Sequence, residues 1–132
     1  APTSDDKRIS LITKKARGFV YYVSLTGVTG VREGLSDSIE PMIKKIKNET
    51  KKPVMVGFGI SNAEQAVKVS SYSDGVVIGS AIVKIIEENI SDDRMVDHVR
   101  DFVNSIKLGM RQNVEGFEEN TKRLGDYLSE TL

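Results

Sequence analysis

The feature that most constrains the fold is a short apolar segment at residues 54–61 (VMVGFGIS), which contains two glycines near its end. An unbroken apolar run of this length with β-branched valines is typical of a strand buried on both faces, as in a parallel sheet. The glycines permit a sharp turn, and residues 61–64 (SNAE) then have the pattern of a capping box with Ser61 as N-cap. We therefore expect a strand, a glycine turn and a helix N-terminus, an arrangement that can bind anions.

The same order of strand and glycine loop occurs twice more. Residues 18–24 (GFVYYVS) precede a loop with Gly27 and Gly30, and residues 75–78 (GVVI) precede Gly79. Strands that alternate with helical segments predict βαβ crossovers and a parallel sheet, whose carboxyl ends are where ligands bind. The predicted fold class is α/β, with three parallel βα units.

The composition limits the class of function. At 132 residues the chain fits one domain, and its 19 basic and 19 acidic residues cancel, so charge favours neither nucleic acid nor an anionic membrane. With no cysteine and one histidine, a disulfide, a thiolate metal site and a histidine triad are not expected. No apolar run approaches the ~20 residues needed to span a bilayer, and we expect a cytoplasmic protein.

Helical patterns surround the first two strands. The first follows candidate N-caps at Thr3 and Ser4 and ends by Gly18. The second runs from Ser36 or Asp37 to Thr50, and its Pro41 is tolerable only in the opening turn. The predicted buried positions are Ile9, Leu11, Ile12 and Ala16 in the first helix, and Ile39, Met42, Ile43 and Ile46 in the second.

Three further helices are expected up to about Gly109. They cover residues 62–70, residues 81–88, and a segment from about residue 91 whose buried stripe comprises Met95, Val99, Phe102, Val103 and Ile106. The helix at 81–88 is so apolar that it is expected to be largely covered. His98 lies beside the stripe and is expected to be an ordinary surface or boundary residue.

Residues 113–132, here called the tail, form a separate helical segment in this prediction, and residues 1–112 form the βα units. Phe117, Leu124, Tyr127 and Leu128 could line one side of the tail, with Gly116 and Gly125 weakening it. The pattern leaves three possibilities open: the tail docks on the body, pairs with a partner, or frays.

The glycine loops together could hold a phosphate. Backbone N–H groups at such turns and at helix N-termini bind a phosphate dianion without a lysine, and the candidate donors are Thr29, Gly30, Gly57, Gly59, Gly79 and Ser80. Any one of these glycines alone indicates no more than a turn. The phosphate site of (β/α)₈ barrels, built from the last loops and a short extra helix, has the same construction.

These motifs resemble one family. Residues 1–4 (APTS), 18–24, 27–30 (GVTG), 57–61 (GFGIS) and 79–84 (GSAIVK) are similar, in order and spacing, to the C-terminal part of the tryptophan synthase alpha chain. The resemblance covers about residues 1–106 and implies part of a (β/α)₈ barrel with about three strands. It implies an enzyme family that cleaves indole-3-glycerol phosphate to indole and glyceraldehyde 3-phosphate.

The resemblance also implies roles for individual residues. Gly30, Gly59, Gly79 and Ser80 would bind the substrate phosphate. Tyr21 and Phe58 would lie near the substrate, and Thr29 would belong to a mobile loop that positions a catalytic aspartate. No cofactor is expected on this chain, because pyridoxal phosphate belongs to the family's beta chain, a possible partner.

The departure from the family concerns catalysis. The family's acid and base carboxylates lie on early strands that precede residue 1, so no catalytic residue is assigned here. The remaining acids are expected to cap helices or face solvent: Asp5, Asp6, Glu33, Asp37, Glu64 and Asp74. We expect a fragment that binds phosphate without activity of its own, a lyase completed by another chain, or a non-enzymatic scaffold that self-associates through its sheet edges and tail.

Overall fold

The structure is a computed structural model that describes residues 5–23, 35–57 and 59–131. The elements in chain order are α1 (Asp6–Lys15), β1 (Val20–Val23), α2 (Leu35–Glu49), β2 (Val54–Gly57), α3 (Ala63–Ser70), β3 (Gly75–Val76), α4 (Ser80–Glu88), α5 (Met95–Gln112) and α6 (Val114–Thr131). The alternation of strands and helices confirms the predicted α/β class.

The strands form a parallel sheet in the order β1-β2-β3. Val20 is in register with Val54, and Met55 with Gly75. β3 is shorter than the predicted 75–78, yet the Val77 N–H still donates to the Val56 carbonyl at 2.8 Å. The carboxyl ends of β2 and β3 therefore lie side by side at one edge of the sheet.

The helices cover one face of this sheet. Alternate strand residues, Val20, Tyr22, Val54 and Val56, enter a core with isoleucines of α2 and with Ile9, Ala66, Val69 and Ile106. The opposite face carries Tyr21 and Val23, which stay 49% and 38% exposed. For β2, the strand that was predicted to be buried on both faces, Val54 and Val56 are buried on the helix side, whereas Met55 on the open side is only half-buried.

Two predictions about α1 need correction. Its N-cap is Asp5, whose carboxylate accepts from the Arg8 N–H at 2.8 Å, while Thr3 and Ser4 lie outside the described residues. Its buried positions are Ile9 and Thr13, and Leu11 and Ile12 are exposed. Residues four apart lie on one helix face, so the face that reaches α2 continues from Ile9 to Thr13.

α2 packs as predicted through Ile39, Ile43 and Ile46, all buried. Pro41 does not lie in the opening turn, because α2 begins at Leu35. It lies in the second turn, where the missing N–H removes a backbone hydrogen bond to residue 37. The pyrrolidine ring is exposed to solvent.

α4 and α5 form near their predicted positions, but fewer of their residues are buried than predicted. No residue of α4 is buried among the described residues, and Val83 is 51% exposed, so the expected cover over this helix is absent there. α5 buries only Ile106 fully and continues through Gly109 to Gln112. A Cβ on Gly109 would lie 3.2 Å from Val67 Cγ2, so this glycine permits close packing of α5 on α3.

α6 docks on the amino side of the sheet through polar groups. Arg123 donates to the Asp74 carboxylate at 2.9 Å and to the carbonyls of Thr50 and Lys52 at 2.7 and 2.8 Å, just beyond α2. Asn120 donates to the Ser70 carbonyl at 3.0 Å. Of the three possibilities for the tail, docking on the body is the one observed.

The apolar side that the sequence indicates for the tail is exposed at two of its positions in α6. Leu124 and Leu128 are 43% and 44% exposed, and the side chain of Phe117 lies outside the described residues. Hydrogen bonds of Arg123 and Asn120 therefore attach α6 to the body, whereas the sequence pattern indicated an apolar contact surface.

Two further observations limit the possible functions. No helix within residues 5–23, 35–57 and 59–131 is long and apolar enough to cross a membrane. In the same residues, no three His, Asp or Glu side chains cluster closely enough to hold a metal ion.

Candidate functional site

The loop after β2 joins a strand to a helix N-terminus, as the sequence predicts. Gly59 has φ +70°, a left-handed conformation that other residues rarely adopt. Buried Ile60 anchors the loop to the core before α3 begins. The loop thus holds an exposed, unsubstituted backbone at the carboxyl end of β2.

The capping box of α3 is shifted by one residue from the prediction. Asn62 is the N-cap, and its side chain accepts from the Gln65 N–H at 2.9 Å. Gln65 Oε1 accepts in return from the Ser61 N–H at 2.8 Å. Asn is as good an N-cap as Ser, and Gln can replace Glu in the box, so the second match at 62–65 was visible in the sequence.

The loop after β3 leaves backbone donors open. Gly79 precedes α4 and its carbonyl accepts from the N–H groups of Ile82 and Val83, both at 3.0 Å. No side chain caps this helix, and within the described part of the chain no acceptor contacts the N–H groups of Ser80 and Ala81. A Cβ placed on Gly79 would meet nothing within 4 Å, so open space lies beside these donors.

The two loops share one edge because β2 and β3 are adjacent and parallel. The structure therefore brings Gly59, Gly79 and Ser80 to the same end of the sheet, in exposed positions. Gly30, Thr29 and Phe58 lie outside the described residues. Of the residues predicted to bind phosphate, the structure thus describes those on two of the three loops, and phosphate binding by them stays a prediction.

Tyr21 lies on the open face of the sheet. A Cβ on Gly57 would come within 2.5 Å of the Tyr21 hydroxyl oxygen, so the Tyr21 ring covers Gly57. Gly57 is the last residue of β2, which places this ring next to the edge where the glycine loops begin. An exposed aromatic ring at that position can contact an apolar ligand group beside a bound anion.

The acidic residues have structural roles where the structure describes their side chains. Asp5 caps α1, Asp6 pairs with Lys45, and Glu64 is exposed in the first turn of α3. Asp74 is buried and accepts from the Val54 N–H at 2.8 Å. Glu33 and the side chain of Asp37 lie outside the described residues. Of these four acids, only Glu64 lies in the segment that follows the carboxyl end of a strand, in the first turn of α3 after β2.

His98 is a boundary residue, as predicted. Its Nε2 lies 3.1 Å from Asp92 Oδ2, and both side chains are roughly two-fifths exposed. The Arg94 N–H, and then His98, hold the pKa of Asp92 below its usual range. This pair joins the loop before α5, which contains Asp92, to the first turn of α5, which contains His98.

The comparison with known families agrees with this geometry. The family model of the tryptophan synthase alpha chain matches residues 1–112, which include every described element except α6. The chain belongs to the tryptophan synthase alpha chain family. The resemblance predicted for residues 1–106 is confirmed and extends to Gln112.

Relatives in this family are considerably longer than the chain. The alpha chain of Geotalea uraniireducens is 44% identical over 110 residues, which cover 83% of this chain and 41% of the relative. The alpha chain of Thermoanaerobacter sp. strain X514 is 46% identical over 107 residues, 81% of this chain and 40% of the relative. The chain therefore spans about two-fifths of the length of these tryptophan synthase alpha chains.

Solved structures place the fold in the same family. An alpha chain from Legionella pneumophila superposes with a TM-score of 0.68 at 29% identity, over 86% of this chain and 40% of that one. The tryptophan synthase A-subunit of Pyrococcus furiosus gives 0.66 at 33% identity, over 80% and 41%. These neighbours are (β/α)₈ barrels, and the three-stranded sheet of this chain corresponds to part of one.

The ionic cluster of Asp74 and Arg123, which fixes α6, was not predicted from the sequence. Asp74 was grouped with acids expected to cap or face solvent, and Arg123 was not singled out at all. The partners are 49 residues apart in the chain, so no local pattern connects them. An Asp directly before a predicted buried strand was the available signal, because such a carboxylate can cap the first N–H groups of the neighbouring strand.

Proposed function

We propose that this chain provides the phosphate-binding part of an indole-3-glycerol-phosphate lyase and does not catalyse the reaction alone. The observation that carries the proposal is the pair of loops after β2 and β3. They place Gly59 and the open N–H groups at Ser80 at one edge of a parallel sheet. Such groups bind phosphate oxygens through the helix N-terminus and need no lysine. Membership in the tryptophan synthase alpha chain family supports the choice of substrate.

The proposed site binds and orients, but it supplies no proton transfer. Retro-aldol cleavage of the substrate needs a base at the indole nitrogen and an acid at the ring carbon. Two of the acids singled out in the sequence already serve structural contacts: Asp5 caps α1, and Asp74 forms the buried pair with Arg123. A phosphate bound equally in the ground and transition states accelerates nothing. Tyr21 and the loop containing Phe58 would contact the apolar part of the substrate.

The first expected result concerns activity. The 132-residue chain alone is expected to release no indole from indole-3-glycerol phosphate above background, because general acid–base catalysis contributes about 10²- to 10⁴-fold and its groups are missing. Indole release is measured by absorbance or chromatography. Turnover by the lone chain that disappears when Asp5, Glu64 or Asp74 is replaced would refute the proposal.

A complementation experiment tests the binding role in the same assay. A separately expressed polypeptide carrying the early strands of a family member is added to the chain. We expect indole release only in the mixture, and we expect Gly79→Val in this chain to abolish it. Equal activity of the early-strand polypeptide with and without this chain would exclude any contribution from the glycine loops.

The second expected result concerns phosphate affinity. Gly79→Val is expected to weaken glycerol phosphate binding at least tenfold, about 1.4 kcal/mol, because the new side chain occupies the space where the anion would lie. The fold should tolerate the change, since a Cβ at this position meets nothing within 4 Å and φ is −120°. Calorimetric titration gives the dissociation constants.

Gly125→Ala is the matched control for this variant. Gly125 also has no atom within 4 Å of an added Cβ, but it lies in α6, away from both loops. We expect unchanged affinity in this control. If wild type, Gly79→Val and Gly125→Ala bind glycerol phosphate with the same affinity, Gly79 is not part of the phosphate site.

Membership in the family suggests a protein partner for this chain. The solved neighbours include tryptophan synthase of M. tuberculosis, and the beta chain of such an enzyme is the partner that the family resemblance implies. No cofactor is proposed for this chain, since pyridoxal phosphate would belong to that beta chain.

A second candidate function is assembly without catalysis, which the open side of the sheet supports. Within the described residues no strand pairs with the outer edges of β1 and β3. Next to them Phe19 and Tyr21 are 50% and 49% exposed, and Val77 is 37% exposed. Apolar strand edges with unpaired N–H and C=O groups favour association with another chain.

The third expected result follows from these edges. Sedimentation velocity at micromolar concentration is expected to report a dimer or larger species. Phe19→Lys combined with Tyr21→Lys should shift it toward monomer, because charge on an edge strand opposes edge pairing. Leu108→Lys, an exposed apolar position on α5, is the control and should leave the distribution unchanged. A monomer at all concentrations would contradict assembly through this sheet.

A further inference from the structure

A cavity lies on the amino side of the sheet, between α5, α6 and the end of α3. Its volume is 310 Å³, which is at the lower end of the range for small-molecule sites. Buried Ser70 lies at its base, and Met110 and Leu124 form apolar walls. The cavity is thus large enough for a compact ligand with an apolar body.

Two basic side chains line this cavity. Lys107 and Arg111 are one turn apart on α5, both line the cavity, and both are exposed. Among the described side chains, which leave out those of residues 35–38 and 114–117, no carboxylate lies within 4 Å of either cation. Their charges are therefore available to a ligand.

The acid that lines the cavity does not oppose an anion. Asp74 is already paired with Arg123 at 2.9 Å and lies 3.6 Å from Lys47 Nζ. Among the ion pairs of the described side chains, Glu119 adds a second carboxylate to this group, 4.0 Å from Lys47. The described groups here are therefore the cations Lys47, Lys107, Arg111 and Arg123 and the anions Asp74 and Glu119.

We propose that this cavity binds a small organic anion with a short apolar chain. The anionic group would contact Lys107 and Arg111, and the chain would lie between Met110 and Leu124. Asn120, which is fixed by its hydrogen bond to the Ser70 carbonyl, and Thr121 form the polar rim. The charge of the two α5 cations selects an anion over a neutral molecule of the same shape.

This site is independent of the proposed phosphate site. Asp74 directly precedes β3, so the cavity lies beyond the amino end of that strand, whereas Gly79 follows its carboxyl end. Three of its lining residues, Asn120, Thr121 and Leu124, come after residue 112, where the match to the family model ends. The site would therefore be a property of α6 docking on this chain.

The test uses octanoate as the probe and octan-1-ol as its neutral match, with the full chain. Octanoate is expected to bind at least tenfold more tightly than octan-1-ol and to shift the methyl NMR signal of Met110. Lys107→Gln combined with Arg111→Gln should weaken octanoate binding about tenfold, because exposed ion pairs contribute little each. Thr121→Trp should abolish binding by filling the cavity at an exposed position.

Lys122→Gln is the matched control, since Lys122 is an exposed cation of α6 that does not line the cavity. It should leave octanoate affinity unchanged, and circular dichroism should show all variants folded. Equal affinity for octanoate and octan-1-ol, an equal loss in Lys122→Gln, or undiminished binding by folded Thr121→Trp would each overturn the proposal. Gly79→Val should leave octanoate binding intact, which separates this result from the fate of the phosphate site.

Discussion

Asp74→Ala is expected to lower the free energy of unfolding by about 3 to 5 kcal/mol, the range for removing one partner of a buried ion pair. The Asp74 side chain is 3% exposed, and its partners Arg123 and Lys47 are 17% and 11% exposed. The substitution leaves both cations poorly hydrated and removes the acceptor of the Val54 N–H. Urea denaturation followed by circular dichroism measures the change.

Asp97→Ala is the matched control. Asp97 also contacts two cations, Arg94 and Arg100, but its side chain is 42% exposed. We expect a change within about 0.5 kcal/mol at such a surface position.

A double-mutant cycle tests whether Asp74 and Arg123 act as a pair. It consists of Asp74→Ala, Arg123→Met and the variant with both substitutions. The losses in free energy of unfolding of the two single variants should add up to more than the loss of the double variant. Strict additivity would mean that Asp74 and Arg123 do not stabilise the fold as a pair.

A chain that stops after Gln112 is expected to lose a similar amount of stability, again about 3 to 5 kcal/mol, because Asp74 loses Arg123 and keeps only Lys47, 3.6 Å away, as its ionic partner. It also exposes the carbonyls of Thr50 and Lys52, which Arg123 satisfies. Since single domains have only about 5 to 15 kcal/mol in total, the unfolding midpoint should fall markedly or the cooperative transition should disappear. Thermal and urea unfolding measure both outcomes.

A chain that stops after Gly125 separates the role of Arg123 from that of helix length. It retains Arg123 and loses the pair between Lys51 and Glu130, which is exposed to solvent and therefore contributes little to stability. We expect near-normal stability for this shorter chain. If both truncations destabilise equally, the end of α6 and not the Arg123 cluster stabilises the fold.

The fold could be predicted from sequence where the pattern was local. The runs at 54–57 and 20–23 have strand composition, and the glycine loops follow them directly, so strand order and parallel direction were predictable. The buried spacing of Ile39, Ile43 and Ile46 in α2 was equally clear, because one helix face must enter the core. The edge of the sheet that carries the candidate phosphate loops followed from this topology.

Burial could not be predicted where it depends on what covers an element. α4 is as apolar as a covered helix, yet Val83 and Ile86 remain exposed in the described structure. An apolar sequence indicates that a helix favours burial, but it does not show whether another element packs against that helix. The docking of α6 was unpredictable for a different reason, since it depends on polar contacts made by Arg123 across a long stretch of chain.

The separation between Asp74 and Arg123 also sets an order of events during synthesis. Arg123 is joined to the chain 49 residues after Asp74. At 5 to 20 residues per second, this interval lasts about 2 to 10 seconds. Throughout that time β2 and β3 exist without the guanidinium that neutralises the acid between them. The nascent sheet therefore gains the ion pair between Asp74 and Arg123 only after α6 has been translated. Until then, chaperones and proteases encounter a sheet without this contact.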